Sequence, residues 1–411
     1  MRLRLPHNKV ISYGAPMRLR LPHKKGAGYG AGMHFPLLQR TAVAWAALLA
    51  LFLPLPPRLL SGQELLAPTL FGPVVKLFGF APATLLRSDA PALWLLAALL
   101  AIPAVAIAAG MGRLALPSLS NAKRLLSLLL TFYLAALLLR YGADKLTGGQ
   151  FYRPEPNTLY TPFGALDPDI LYWSVMGLSR PYQVFLGGVE VLAALLLFFR
   201  RTRTAGLWLA FLVCAQILSV NWCFGIAVKL LSSFLLLLSA GLIGRDWMRM
   251  ARLLGGKAVA ALPARDARGG PLRITLKVLA GGLLLADAFY PAIASGHWND
   301  SAGTRPYLYG AWEVTPAPAR FFPGDTVPVR RLFFHRDHYL VLQDVRDGLR
   351  SFPVVADSLS GSLRLRTGPE AWQRIKLRTT APGELYLDAP AGALLLRALP
   401  WRQLPALRAV P

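Results

Sequence analysis

Residues 177–203 read GLSRPYQVFLGGVEVLAALLLFFRRTR. Between Tyr182 and Phe199 the single charged side chain is Glu190, and the run ends against Arg200, Arg201 and Arg203. About 20 predominantly apolar residues are what an α-helix needs to cross the hydrocarbon core of a bilayer. A water-facing helix would show one apolar stripe and one polar face. This stretch is apolar all round, so it reads as a membrane span, 182–200, with one acid inside it.

Working outward, runs of the same kind occur at 35–56, 91–112, 124–142, 204–222, 224–244 and 275–295, which predicts about seven transmembrane helices. The piece 64–80, ELLAPTLFGPVVKLFGF, is interrupted by Pro68, Gly72 and Pro73 and is expected to lie at the interface or re-enter. The whole chain agrees. Of 411 residues 55% are hydrophobic, only 16% are charged, and the mean hydropathy is +0.44. Soluble domains carry about 25% charged residues. A disordered chain and a disulfide-stapled mini-domain are excluded, the latter also by a total of two cysteines.

The net charge of +25 comes from 45 Lys and Arg against 20 Asp and Glu. These cations are not spread evenly. They gather in the arm before the first span, at 113–124, at 200–203 and above all at 245–277, whereas 58–90 and 143–181 hold only three each. Short cytoplasmic loops carry the Lys and Arg excess, so seven spans put the N-terminus inside and the C-terminal region outside. The expected setting is the bacterial inner membrane with a periplasmic C-terminal domain and membrane lipids as partners; no nucleic acid is needed to explain the charge. The arm, 1–34, is a tandem repeat, MRLRLPHNKVISYGAP followed by MRLRLPHKKGAGYGAG, with a third Met at 33. It reads either as a basic strap for anionic head groups or as a duplication upstream of a start at Met33.

The periodicity changes from about 297. GAWEV (310–314), RRLFF (330–334), YLVLQ (339–343), FPVVA (352–356), SLRLR (362–366), RIKLR (374–378), ELYLD (384–388) and ALLLRAL (393–399) alternate with turn residues such as Arg336-Asp337 and Pro382-Gly383. Eight short strands predict an all-β domain over 296–411, an antiparallel barrel or sandwich, with Leu363 and Leu365 inward and Arg364 and Arg366 outward.

Ionisable groups inside spans are costly and mark function by default. Glu190, Lys229 and Asp287 lie about 12, 8 and 12 Å from the predicted outer ends of their spans, with Gln216 and Tyr133 at about 9 and 13 Å. They define one polar layer, expected to pair Lys229 with Glu190 or Asp287. Such a layer either grips the polar head of a hydrophobic molecule, quinone-like or lipid, or fixes helix register as a structural ion pair. The outer loop 141–182 is rich in Pro, Tyr and Trp and is expected to form an ordered cap, in which Arg153, Glu155, Asp167 and Asp169 line an entrance or face water. Gly187-Gly188 and Gly281-Gly282 are places where helices approach closely. Cys214 and Cys223 are too far apart along one helix for a disulfide and read as packing residues. The HRDH turn, His335 to His338, lacks a third metal ligand, so no metal is expected. No self-contained catalytic motif is present, which leaves enzyme status open.

The stretch 124–244 resembles the DoxX-like membrane proteins, a four-helix unit. YGADK (141–145) closes the first helix, GLSRPYQVFLGGVEVLAALLLFFRRTR spans the second, VNWCFG (220–225) ends the third and IAVKLLSSFLLLL (226–238) forms the fourth. The chain looks like a long form of that unit, with helices at 35–123 before it and a basic cytoplasmic loop at 245–274, a last helix at 275–295 and the β domain after it. The resemblance places Glu190 on the family's recurring glycine-near-glutamate position. The family's name comes from a subunit associated with thiosulfate-to-quinone electron transfer, so a cofactor-less membrane subunit of an oxidoreductase complex is an implied role; apart from the resemblance, the chain also reads as a structural envelope anchor. No resident cofactor is evident, and a quinone is the ligand class implied. In architecture alone the chain is similar to vitamin K-dependent carboxylase-type membrane proteins. Gly310-Ala311-Trp312 resembles the G-x-W of lipocalin-type barrels.

Overall fold

The computed structural model describes residues 36–52, 62–113, 119–244, 246–259, 271–300, 303–316, 318–357, 360–368 and 371–408. The arm expected at 1–34 and the 260–270 part of the basic loop lie outside them. Twelve α-helices are seen among the described residues: α1 Pro36–Phe52, α2 Gly62–Leu77, α3 Pro91–Leu99, α4 Ala101–Arg113, α5 Leu119–Leu146, α6 Pro156–Tyr160, α7 Pro168–Leu178, α8 Arg180–Phe198, α9 Arg203–Cys223, α10 Lys229–Ile243, α11 Asp246–Leu254 and α12 Pro271–Ser295.

Among them, five helical stretches are long and apolar enough to cross a membrane: Pro91–Gly110, Arg124–Leu146, Arg180–Phe198, Arg203–Cys223 and Thr275–Ser295. Of the expected span 35–56 the described residues form α1, and the expected span 224–244 comes out shorter. Arg40–Leu51 is a shorter apolar helix, and α10 is bent by 81° from α11. α10 starts at Lys229, not 224, because Gly225 and Val228 take positive φ (68° and 137°) and break the helix before it. In the piece at 64–80, α2 runs helical through Pro68 and Pro73, and Gly72 lies against the Pro82 ring.

The bundle core is apolar, built largely from α3, α5, α8, α9 and α10, and α12 packs on α5. Glycine decides the tightest crossing. A Cβ at Gly142 on α5 would sit 2.9 Å from the Gly187 carbonyl oxygen and 2.8 Å from the Val191 side chain; one at Gly187 would sit 2.7 Å from the Gly142 oxygen. The expected role of Gly187 is therefore seen, while Gly188 faces open space. Asp89, before α3, reaches across the chain to hold the first amides of α10. Its carboxylate accepts hydrogen bonds from the N–H groups of Val228 (2.7 Å), Lys229 (2.6 Å) and Leu230 (2.9 Å). A carboxylate here satisfies orphan donors and meets the positive end of the helix dipole.

The β domain is a closed eight-stranded antiparallel barrel, which settles barrel against sandwich: β1 Gly310–Thr315, β2 Val329–Phe334, β3 Tyr339–Asp344, β4 Leu349–Asp357, β5 Ser362–Arg366, β6 Trp372–Ala381, β7 Glu384–Ala389 and β8 Gly392–Ala398, each paired with the next and β8 closing on β1. Leu332, Phe334, Leu340, Leu342, Leu365 and Leu387 are among the residues that fill the interior, as eight strands allow. Leu363 and Leu365 point in and Arg364 and Arg366 point out, as expected. On the outside of β1–β3, Ala311, Phe333 and Val341 are covered by Tyr160 of α6, Leu399 and Trp401. Tyr160 stacks on Phe333, and its carbonyl accepts from Gln343 Nε2 at 3.0 Å. This face docks the barrel on the cap of the helical part.

Candidate functional site

At the barrel end of the bundle, Lys145 Nζ lies 2.8 and 3.0 Å from the two Glu190 carboxylate oxygens, with both side chains buried. The crossing at Gly142 and Gly187 makes this pair. Lys145 and Glu190 each follow their glycine by three residues, on helices that run in opposite directions. Helical side chains lean toward their own N-terminus, so Lys145 leans back into the bundle while Glu190 leans toward the barrel end. The two converge. The ammonium also lies 5.6 and 5.9 Å from the ring centres of Phe151 and Tyr141.

The surroundings fix this geometry. Arg180, first residue of α8, donates to the carbonyls of Lys145 (3.1 Å) and Leu146, capping α5 with a cation where the dipole favours one. Buried Gln183 donates to the Met176 and Gly177 carbonyls at the end of α7. Gly177 passes under Tyr152 so closely that a Cβ would overlap its carbonyl oxygen. A small cavity of about 70 Å³ lies beside Arg180, Gln183, Phe151, Tyr152, Asn299 and Asp300. Phe151, Tyr172, Trp173 and Phe224 form a contiguous aromatic wall, and Tyr172 hydrogen-bonds with Gln216, which is exposed on α9.

The expected polar layer is therefore redrawn. Glu190 occupies the centre, with Tyr141, Tyr172 and Cys214 in electrostatic reach. Its partner is Lys145, not Lys229 or Asp287. Lys229 is the first residue of α10 and its Nζ turns back to the Ile226 carbonyl at 3.0 Å. A depth counted from 224 is therefore too great for it. Asp287, half-buried on α12, has no hydrogen-bond or ion-pair partner among the described residues. Tyr133 lies nine residues from Gly142, roughly 13 Å along α5; its ring meets Phe234, and its buried hydroxyl has no partner among the described residues. Gln216 joins the centre through Tyr172. Cys214 is buried and Cys223 exposed, both free, so only Cys214 packs as expected.

A second polar cluster sits where cap and barrel meet. Glu155, at the start of α6, is buried rather than lining an entrance. Its Oε1 lies 3.8 Å from an Arg336 nitrogen and its Oε2 lies 3.9 Å from His335 Nε2. The Tyr309 side chain hydrogen-bonds to the same carboxyl. Arg336 pairs with Asp300, at 2.9 Å through one nitrogen, and lies 4.5 Å from the Tyr152 ring centre. Burial pushes Glu155 up to about 7 against the opposing pull of Arg336, Tyr309 and Arg305. Burial also holds His335 below its ordinary value.

No family model and no solved structure matches this chain. A curated relative, "Uncharacterized protein YwoB" of Bacillus subtilis (strain 168), is 31% identical over 123 residues, which are 30% of this chain and 76% of the relative.

Proposed function

The chain belongs to the family of YwoB, and we propose that its Lys145–Glu190 centre receives the polar head of a hydrophobic molecule, quinone-like or lipid, entering from the bilayer. The observation that carries this reading is a buried ion pair beside Phe151, at one end of an aromatic wall whose Tyr172, on α7, hydrogen-bonds to the exposed Gln216 of α9. A buried pair costs more to desolvate than a hydrophobic substitute of equal volume, so a purely structural helix contact has cheaper solutions. Lys145 donates to a carbonyl or phosphate oxygen of the head, and Glu190 accepts from a hydroxyl. Phe151 and Tyr172 cover the group from water. The DoxX-like pattern of 124–244 supports the quinone-like choice, and the Lys and Arg distribution supports a bacterial inner-membrane setting with the barrel on the outer, periplasmic side.

Thermal melting in mild detergent tests the proposal. A short-chain quinone or phosphatidylglycerol should raise the melting temperature of the wild type, since a ligand bound only by the native state stabilises it by mass action. Glu190→Gln should abolish the rise. An equal rise in both proteins would overturn the assignment.

A further inference from the structure

The outer surface of β5 and β6 is the most basic face of the barrel. Strand alternation sends Arg364 and Arg366 outward from β5 and Arg374, Lys376 and Arg378 outward from β6, all exposed. The register sets Arg364 directly opposite Arg374. Like charges directly opposed across a sheet destabilise it, and among the described residues neither Arg364, Arg374, Lys376 nor Arg378 forms a salt bridge. Between the two opposed arginines runs a groove of about 260 Å³ lined by Val355, Asp357, Ser360, Ser362, Arg364 and Arg374.

Its polar groups are already arranged. Arg374 Nε donates to Ser362 Oγ at 3.2 Å, Ser360 and Ser362 hydroxyls lie 2.8 Å apart, and Arg364 lies over the Trp372 ring. Asp357 closes one end and is occupied by the Ser360 amide at 3.3 Å. In a closed barrel of eight strands β6 stands opposite β2, whose outer face is buried against Tyr160. The groove therefore faces away from the helical part and from the lipid around it.

We propose that this groove binds the phosphate group of a soluble phosphorylated sugar-sized anion, with Arg364 and Arg374 clamping the phosphate, the two serine hydroxyls completing its hydrogen bonds and Trp372 flanking the sugar. Guanidinium forks suit phosphate oxygens, and charge-assisted bonds are the strong ones. A bound dianion also relieves the Arg364–Arg374 repulsion.

The test is calorimetric titration of the full chain, in detergent without anionic lipid, with glucose 6-phosphate, and with glucose as the uncharged comparison. Binding of glucose 6-phosphate but not glucose is expected. Arg364→Glu with Arg374→Glu should weaken it about tenfold or more, as expected for loss of two charge-assisted contacts. Arg346→Glu with Arg408→Glu, which makes the same change in net charge elsewhere, should leave it intact. Equal weakening by both double variants, or no binding of the sugar phosphate, would overturn the proposal. So would binding to phosphatidylglycerol vesicles with none to the soluble compound.

Discussion

Lys145 and Glu190 meet at 2.8 Å inside the bundle because Gly142 and Gly187, one turn away on each helix, let α5 and α8 touch backbone to backbone. Geometry and charge are thus one unit. Gly142→Ala or Gly187→Ala must separate the helices, since each new Cβ would fall under 3 Å from a carbonyl oxygen. Overpacking of this kind costs about 1–3 kcal/mol. Thermal melting should show that loss for either variant and none for Gly188→Ala, which meets nothing within 4 Å.

Removing one member of the pair leaves an unpartnered charge in the bundle. Lys145→Met should cost about 3–5 kcal/mol, and the double variant Lys145→Met with Glu190→Leu should recover most of it. A double-mutant cycle reads this coupling. Simple additivity of the two single losses would mean that the ion pair is not felt.

The α10 start depends on Asp89. Asp89→Ala should destabilise by about 0.5–2 kcal/mol, the range for losing a helix cap. Burial alone pushes this carboxyl up, but the amides of Leu230, Val228 and Lys229 and the Lys229 charge outweigh it and hold the group below its ordinary value. Its stabilisation is therefore present at neutral pH and lost on acidification through the native value. Melting followed downward from pH 6 should show this loss in the wild type and not in Asp89→Ala.

The junction of cap and barrel has its own pH dependence. Glu155 titrates near 7 when docked, against an ordinary value of 4.5. The docked state then holds the extra proton between these values, so docking weakens as pH rises from about 4.5 to about 7 and levels off above. His335, lowered by burial, acts in the opposite sense, losing stability as pH falls below its ordinary 6.5. Limited proteolysis of the 296–309 connection across pH 4.5–8 should accelerate toward pH 7. Glu155→Gln should remove that acceleration and leave only the His335 effect.

Much of this architecture is legible in the order of the residues. Strand alternation places β5 over 362–366 with Leu363 and Leu365 inside, because a half-buried strand writes its two faces into every second residue. Glu190 stands out because an acid in the middle of a spanning apolar run is costly to bury. Its partner does not. Lys145 reads as a helix-end residue facing the outer loop because the apolar run stops at 142, whereas α5 continues to Leu146 and the flexible lysine stem carries the charge back inside. The paired spacing, Gly142 to Lys145 and Gly187 to Glu190, is the signal that could have found it. Asp89 acts on amides some 140 residues away, a relation that no local pattern encodes. The burial of Glu155 likewise depends on how barrel and cap dock.

Whether the Lys145–Glu190 centre holds a hydrophobic molecule by its polar head is decided by native mass spectrometry of the gently solubilised protein, with extraction and identification of what accompanies it. One quinone or lipid per chain is expected in the wild type, lost in Glu190→Gln while the variant stays folded. Bare wild-type protein, or the same ligand retained in equal amount by the variant, would contradict it.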